Sequence, residues 1–295
     1  MNQITDKNSQ KLAWIILIAL AIIWGSSFIL IKRGLDAFSP GQVGSIRILF
    51  AFLFLLPFGI KSLSKLNKKD WFFLFIVGAL GNYIPYLLFA KAETRLASSL
   101  TGVLNALTPI FTMIISLFVF KLKMKTWQVI GLFISLVGSL GISFVNNEGG
   151  FGSLNYYALF VVAATFCYGV SSSTIKAKLS HIKPVINASI SLLTVGPIAL
   201  GYLLSTNFIE VLNTHPDAYS SLGYLLILGI IGTAIALILF NKLIYLSSAV
   251  FATSVTYLIP IVAVLWGVVD GENIYPLHFV GMALIIFGVY KVNKH

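Results

Sequence analysis

Residues 25–40 read GSSFILIKRGLDAFSP, and residues 169–184 read GVSSSTIKAKLSHIKP. At this offset of 144, Gly25, Ser27, Ile31, Lys32, Leu35 and Pro40 meet Gly169, Ser171, Ile175, Lys176, Leu179 and Pro184 in order. The correspondence continues at an offset of 151. There Gly78, Gly81, Ile84, Phe89, Lys91, Leu107, Pro109 and Ile110 meet Gly229, Gly232, Ile235, Phe240, Lys242, Leu258, Pro260 and Ile261. Gly131 and Gly138 then meet Gly281 and Gly288 at an offset of 150. The seven-residue jump falls at the longer loop around Ser205–Ser221. Apolar matches are cheap in a sequence this greasy. The ordered Gly, Pro and Lys matches carry the repeat.

The 295 residues are 58% hydrophobic and 10% charged, against about 45–50% and 25% in soluble domains. Mean hydropathy is +0.95. This composition excludes a soluble enzyme, a disordered chain and a nucleic-acid-binding domain. The net charge of +11 is spread between apolar runs rather than gathered on one patch. That is the charge pattern of a membrane protein sorted by its loops. The single cysteine, Cys167, excludes internal disulfides and cysteine metal clusters.

A bilayer core about 30 Å thick needs roughly 20 apolar residues per helix. Ten such segments are predicted: Leu12–Ile31, Val43–Ile60, Trp71–Ala90, Ala97–Phe120, Trp127–Val145, Leu154–Ile175, Val185–Leu204, Leu222–Asn241, Ala249–Val269 and Ile274–Tyr290. Barrel strands would alternate in polarity and be about half as long. The first segment is too long for a signal-peptide core and has a counterpart in the repeat, so it is expected to be retained.

Loop charges set the orientation. Lys7, Lys11, Lys61, Lys65, Lys68, Lys69, Lys121, Lys123, Lys125, Lys176, Lys178, Lys183, Lys242, Lys291 and Lys294 fall on one side, fifteen in all. Lys32, Arg33, Lys91 and Arg95 fall on the other, and Arg47 lies within a span. Positive charge stays in the cytoplasm, so both termini are expected there, in a multi-pass inner-membrane protein. Five helices per half is an odd number, so the second half runs inverted. Lys32 and Lys91 lie outside while their counterparts Lys176 and Lys242 lie inside. Inverted repeats of this kind mark transporters, with a site between the halves that is exposed to each side in turn. The expected units are residues 1–145, a link at 146–153, and residues 154–295.

No phosphate-binding loop is present, since Gly149-Gly150-Phe151-Gly152 lacks the following Lys-Ser/Thr. His181, His215, His278 and His295 build no catalytic or metal set within the membrane. No cofactor or metal is expected. Arg47 is the one charge well within a span, at a cost of ~2.5–3.5 kcal/mol by insertion scales. Two roles fit it: a contact to an anion or carboxylate in the cavity, or a tie to backbone carbonyls or the outer interface. No Asp or Glu is expected deep in a span, which argues against a cation/proton antiporter built on one. Asp270 and Glu272 read as acids near the outer surface.

The uncharged polar residues within spans are the better site candidates, because polar groups avoid lipid. These are Asn82, Tyr83 and Tyr86 around Pro85, and Asn105 and Thr108 before Pro109. Tyr168 and Ser172, Asn187 and Ser191, and Thr253, Thr256 and Tyr257 before Pro260 complete the set. Each singly could equally be a helix–helix hydrogen bond, worth about 0.6 kcal/mol on average. Pro85, Pro109 and Pro260 free backbone carbonyls and supply hinges. Trp24 can line the cavity or pack, and the repeated glycines permit close helix contact.

The chain resembles the drug/metabolite transporter superfamily of the EamA type over residues 12–290. The resemblance rests on Trp24-Gly25-Ser26-Ser27-Phe28, Ile46-Arg47-Ile48, Pro109 followed by Gly131 and Gly138, and Val255-Thr256-Tyr257-Leu258-Ile259-Pro260 with Gly271-Glu272 and Gly281. It implies an all-α, ten-helix, 5+5 inverted-repeat exporter or facilitator of small organic metabolites. One departure stands out: Lys121-Leu122 occupies the first-half place of Gly271-Glu272. The expected activity is secondary export of a small amphipathic metabolite such as an amino acid. The expected partners are that substrate and the lipid bilayer. Flipping of a lipid or lipid-linked sugar, as related proteins in the superfamily perform, is the alternative. A non-transporting scaffold fits the repeat least.

Overall fold

Within hydrocarbon, a backbone N–H must find its carbonyl inside its own segment, which favours helices wherever no barrel closes. The computed structural model describes residues 7–60, 62–63, 66–96, 98–146, 156–269 and 275–293. Every regular element among them is helical. In the first half these are α1 (Lys7–Gly25), α2 (Ser27–Leu35), α3 (Pro40–Ile60), α4 (Lys68–Gly78), α5 (Ile84–Glu93), α6 (Ser98–Asn105), α7 (Thr108–Phe118) and α8 (Thr126–Asn146). The second half has α9 (Ala158–Lys178), α10 (Pro184–Leu204), α11 (Phe208–Thr214), α12 (Ala218–Gly229), α13 (Ala236–Leu246), α14 (Ala249–Thr253), α15 (Val255–Val269) and α16 (Pro276–Asn293). The link beyond Asn146, and Asp270 with Gly271-Glu272, lie outside the described residues.

Among the described residues, seven helices are long and apolar enough to cross a membrane: Asn8–Leu35, Pro40–Ile60, Lys68–Glu93, Ala158–Lys178, Pro184–Leu204, Ala218–Leu246 and Pro276–Asn293. The expected count of ten is not reached by this measure. The other three expected spans give shorter apolar helices, Thr108–Phe118, Thr126–Gly141 and Ala249–Val262. The expected Ala97–Phe120 is two helices with a turn at Ala106-Leu107. Pro109 has no N–H for the carbonyl of Asn105, so the ladder is interrupted and restarts at Thr108. The expected Ala249–Val269 breaks at Ser254, while Pro260 sits inside α15.

Several spans run past their expected ends because polar residues extend them. Asn67 and Asp70 form a capping box that starts α4 at Lys68, satisfying N–H groups that have no partner in the first turn. At the other end α5 continues beyond Ala90 to Glu93. Glu93, the last residue of that span, has both carboxyl oxygens buried, but it stands at the end of the span and not deep within it.

Two π-helical turns interrupt the ladder, Ala79–Tyr83 between α4 and α5 and Ile230–Ile235 between α12 and α13. Their positions are equivalent at the 151-residue offset. In each, a side chain turns back to the carbonyl five residues earlier. Asn82 Nδ2 donates to Val77 O at 3.3 Å, and Thr233 Oγ1 to Leu228 O at 3.0 Å.

Equivalent helices pack on one another in antiparallel pairs. On α3 and α10, Gly41 lies against Tyr202, Gly196 against Phe52, and Gly59 against Ile190. On α8 and α16, a Cβ at Gly131 would stand 2.6 Å from Gly288 O, and one at Gly138 2.7 Å from Gly281 O. Only glycine allows backbones this close. Ile15, Ile18 and Ile22, spaced along one face of α1, are each more than half exposed. Phe279, Val280 and Ile286 on α16 are likewise exposed. Apolar surface this extensive suits lipid and not water.

Candidate substrate cavity

A cavity of about 910 Å³, its solvent-open part included, lies among α1, α2, α3, α5, α9, α13, α15 and the first π turn. Beside it the second π turn offers the carbonyl of Gly232 to two side chains of the lining. Gly232 O accepts Trp24 Nε1 at 3.1 Å and Arg47 Nη2 at 3.3 Å. Arg47 Nε also donates to Thr233 Oγ1 at 2.6 Å. Two side chains from the first half are thus anchored on one turn of the second.

The Arg47 guanidinium lies over the Tyr86 ring, 3.8 Å from its centroid. Such stacking is attractive, by up to about 2 kcal/mol where water is excluded. Tyr86 Oη donates to Asn82 Oδ1 at 3.3 Å, which links the ring to the first π turn. Arg47 has no carboxylate at ion-pair distance among the described residues. Its other recorded partners are the two uncharged oxygens, so much of its five-donor fork remains unused. Of the two roles weighed for Arg47, the tie to a backbone carbonyl is made, and the side chain also lines the cavity.

Elsewhere the lining is mixed. Phe89 stacks on Tyr168, with centroids 5.9 Å apart. Asn105 Oδ1 accepts Thr108 Oγ1 at 3.1 Å where α6 gives way to α7. Thr253 and Thr256 bond back to carbonyls of their own chain segment around the α14–α15 break. Trp24, Phe28, Ile31, Leu237 and Phe240 make the apolar part of the wall.

Of the residues predicted from sequence, Arg47, Asn82, Tyr86, Asn105, Thr108, Tyr168 and Thr256 line this one cavity, with Ser172, Ser191 and Thr253. Three do not. Tyr83 is half-buried and packs beside Tyr86 against the Ile48–Leu55 cluster. Tyr257 is fully buried in the main hydrophobic core, with no partner for its hydroxyl. Asn187 lines a separate cavity of about 230 Å³ with Lys176 and Tyr245, which shares Ile175 and Asn241 with the larger one. Of the hinges, Pro85 follows the first π turn inside the Lys68–Glu93 span, Pro109 opens α7, and Pro260 sits inside α15.

Sequence reasoning missed Thr233, Gly232 and Asn241. The signal for Thr233 was present, because it is the 151-residue counterpart of Asn82. Asn241 stands where the first half has Ala90, so the repeat gave no pointer to it.

Comparison with known proteins agrees with this architecture. The model of the EamA-like transporter family matches residues 11–144 and again residues 155–294. The "Uncharacterized inner membrane transporter YedA" of Escherichia coli K12 is 27% identical over 282 residues, covering 94% of this chain and 89% of the relative. The "Probable terminal-alkyne amino-acid exporter" of Streptantibioticus cattleyicolor is 26% identical over 290 residues, covering 96% and 94%. A solved crystal structure superposes with a TM-score of 0.73 at 17% identity, over 95% of both chains. That last likeness is one of fold.

Proposed function

This chain belongs to the EamA-like transporter family, and we propose that it exports small amphipathic metabolites, amino acids foremost, by alternating access without ATP. The observation that carries the substrate class is Arg47. Its side chain lines the cavity and is held by two uncharged oxygens and the Tyr86 ring. A buried guanidinium not neutralised by the protein attracts a carboxylate, and its fork suits two oxygens. The apolar wall around Trp24, Phe28 and Phe240 suits the rest of such a molecule, and Asn82, Asn105 and Thr108 offer amide and hydroxyl contacts. The name of the Streptantibioticus relative supports the same class.

The proposed topology is ten spans in two inverted sets of five. It takes α6 with α7 as the fourth, α8 as the fifth and α14 with α15 as the ninth. The antiparallel pairing of α3 with α10 and of α8 with α16 supports it. Both termini are placed in the cytoplasm by the excess of lysine on that side. Bending is assigned to Pro85, Pro109 and Pro260 and to the π turns beside the cavity.

The test is release from proteoliposomes loaded with labelled amino acids, nucleosides and sugars. Amino-acid release is expected to exceed that of empty-vesicle controls. Arg47→Ala is expected to lower it ~10–100-fold, the worth of a hydrogen-bonded charge, with Arg47→Lys intermediate. Release of sugars or nucleosides alone, indifferent to Arg47, would overturn the substrate class. Faster scrambling of a labelled lipid with no release would replace the reading by the flippase.

A further inference from the structure

Lys32 and Lys176 are equivalent in the repeat, yet they sit in different bonds. Lys176 is partly buried, and its Nζ donates to Ile244 O at 3.0 Å and to Ser247 O. These carbonyls belong to the end of α13 and the turn after it, so the bond latches α9 to α13. The positions 151 residues before Ile244 and Ser247 are Glu93 and Leu96. Repeat symmetry therefore assigns Lys32 to the end of α5, where the first half places a carboxylate. That bond is not made. Lys32 is exposed, and no ion pair joins it to Glu93.

Glu93 itself is in an unusual state. Both carboxyl oxygens are buried and neither has a hydrogen-bond partner. Lys32 and Arg47 act on it electrostatically from a distance. A buried carboxylate with no partner is strongly disfavoured, and a proton relieves it. Phe89, one turn earlier on the same helix, lines the cavity. Glu93 thus stands just beyond the cavity at the end that the Lys176 latch does not hold.

We propose that Glu93 is a proton-binding site that exchanges its proton for the Lys32 ammonium when this end of the cavity closes. In the present state the Lys176 latch is made, Lys32 is withdrawn and Glu93 carries a proton. Closure brings Lys32 to Glu93, and the carboxyl proton passes to water at that end. Opening reverses the step, one proton being taken up as Lys32 leaves. This rests on alternating access and not on the substrate class. The charged groups acting on Glu93 are Lys32 on α2 and Arg47 on α3, while Lys91 and Arg95 lie two residues to either side on its own helix and the turn beyond. The α9 region offers Tyr157 and Tyr168, and α6 offers no titratable residue. Glu93 is the one carboxyl of this set, and a carboxyl is the side chain among them whose class changes charge on the acid side of neutral pH.

Spin labels at Thr94→Cys and Ser220→Cys, with Cys167→Ala, report on this end. Both sites are exposed, and Ser220 lies on α12, which packs on α2. In the full-length protein in liposomes, raising the pH is expected to move the distance distribution from long to short. Glu93→Gln and Lys32→Gln are expected to hold it long at every pH. Glu93→Asp is expected to restore the pH response, which separates loss of the carboxyl from misfolding. Lys176→Gln is expected to enrich the short distance. A pH-independent distribution that Lys176→Gln still shifts would overturn the Glu93 proposal and leave alternating access standing. A distribution that no variant or pH moves would overturn both.

Discussion

The two π turns share a backbone device and use it differently. In Ala79–Tyr83, Asn82 bonds Val77 O and passes its own oxygen to Tyr86. In Ile230–Ile235, Thr233 bonds Leu228 O, and the turn then presents Thr233 Oγ1 and Gly232 O to Arg47 and Trp24. Packing follows the same symmetry. A Cβ at Gly229 would stand 3.0 Å from Arg47 O, and its counterpart Gly78 lies against the carbonyl of Ser191. Arg47 and Ser191 are themselves equivalent at the 144-residue offset. The duplicated gene product keeps its backbone geometry in both halves. The charge is placed in one half only, so the cavity has a polar wall to which a substrate can orient.

The sharpest break of this comparison is at those equivalent positions. Arg47→Ala is expected to reduce transport ~10–100-fold, as a lost charge-assisted contact does. Ser191→Ala should change it by no more than about fivefold, because that hydroxyl already bonds Ala188 O at 3.0 Å and a neutral bond is worth about 1 kcal/mol. Equal losses in the two variants, measured as initial rates of release, would mean that the halves contribute alike.

The π turns come next. Thr233→Val keeps the shape and removes the oxygen that Arg47 and Leu228 both use. It is expected to lower stability by about 1.5–3 kcal/mol, the range for hydrogen bonds to charged groups, and to weaken transport with it. Asn82→Ala loses uncharged bonds at 3.3 Å and should cost about 1 kcal/mol. Thermal unfolding in one detergent compares the pair. A smaller loss for Thr233→Val than for Asn82→Ala would sink the assignment of the second turn as the arginine's anchor.

Effects on stability alone are expected in the peripheral pair, α8 and α16, which lies away from the cavity. Gly131→Ala forces the helices apart at Gly288 and should cost about 1–3 kcal/mol, as overpacking does. Gly141→Ala on the same helix meets nothing within 4 Å. It should be neutral or stabilise by up to about 1 kcal/mol through helix propensity. The same melting experiment decides this, and equal shifts would refute the close crossing.

The sequence made some of this legible, and the reasons can be followed residue by residue. The α6–α7 break was signalled by Pro109, whose missing N–H interrupts any ladder. The break at Ser254 had no such signal, because Pro260 lies farther on and stays helical. Pro85 drew attention to the first π turn, but Ala236 stands at the equivalent place of the second. The turns recur where proline does not, so proline is not their cause. Glu93 lies beyond the expected end of its span at Ala90, and only the fold shows its oxygens buried. Lys121, flagged as a departure from the family's glycine, adopts φ 51°. Glycine reaches that conformation without penalty, whereas a lysine there is strained.

Tyr257 supplies the smallest and most discriminating effect. Its place among the polar residues before Pro260 suggested a substrate contact. The structure instead seals it in the core at 0% exposure, with its hydroxyl unpartnered. An unpartnered buried hydroxyl opposes folding, so replacing it by hydrogen removes a penalty and leaves the ring packing intact. Tyr257→Phe is therefore expected to leave transport unchanged and to shift stability by less than about 1 kcal/mol, in the favourable direction. Tyr86→Phe sharpens the contrast. It keeps the ring beneath Arg47 but loses the bond to Asn82, so it should lower transport measurably. If Tyr257→Phe abolished release while the protein melted normally, the hydroxyl must reach substrate in another conformation. The cavity boundary drawn here between Thr256 and Tyr257 would then hold for one state of the cycle only.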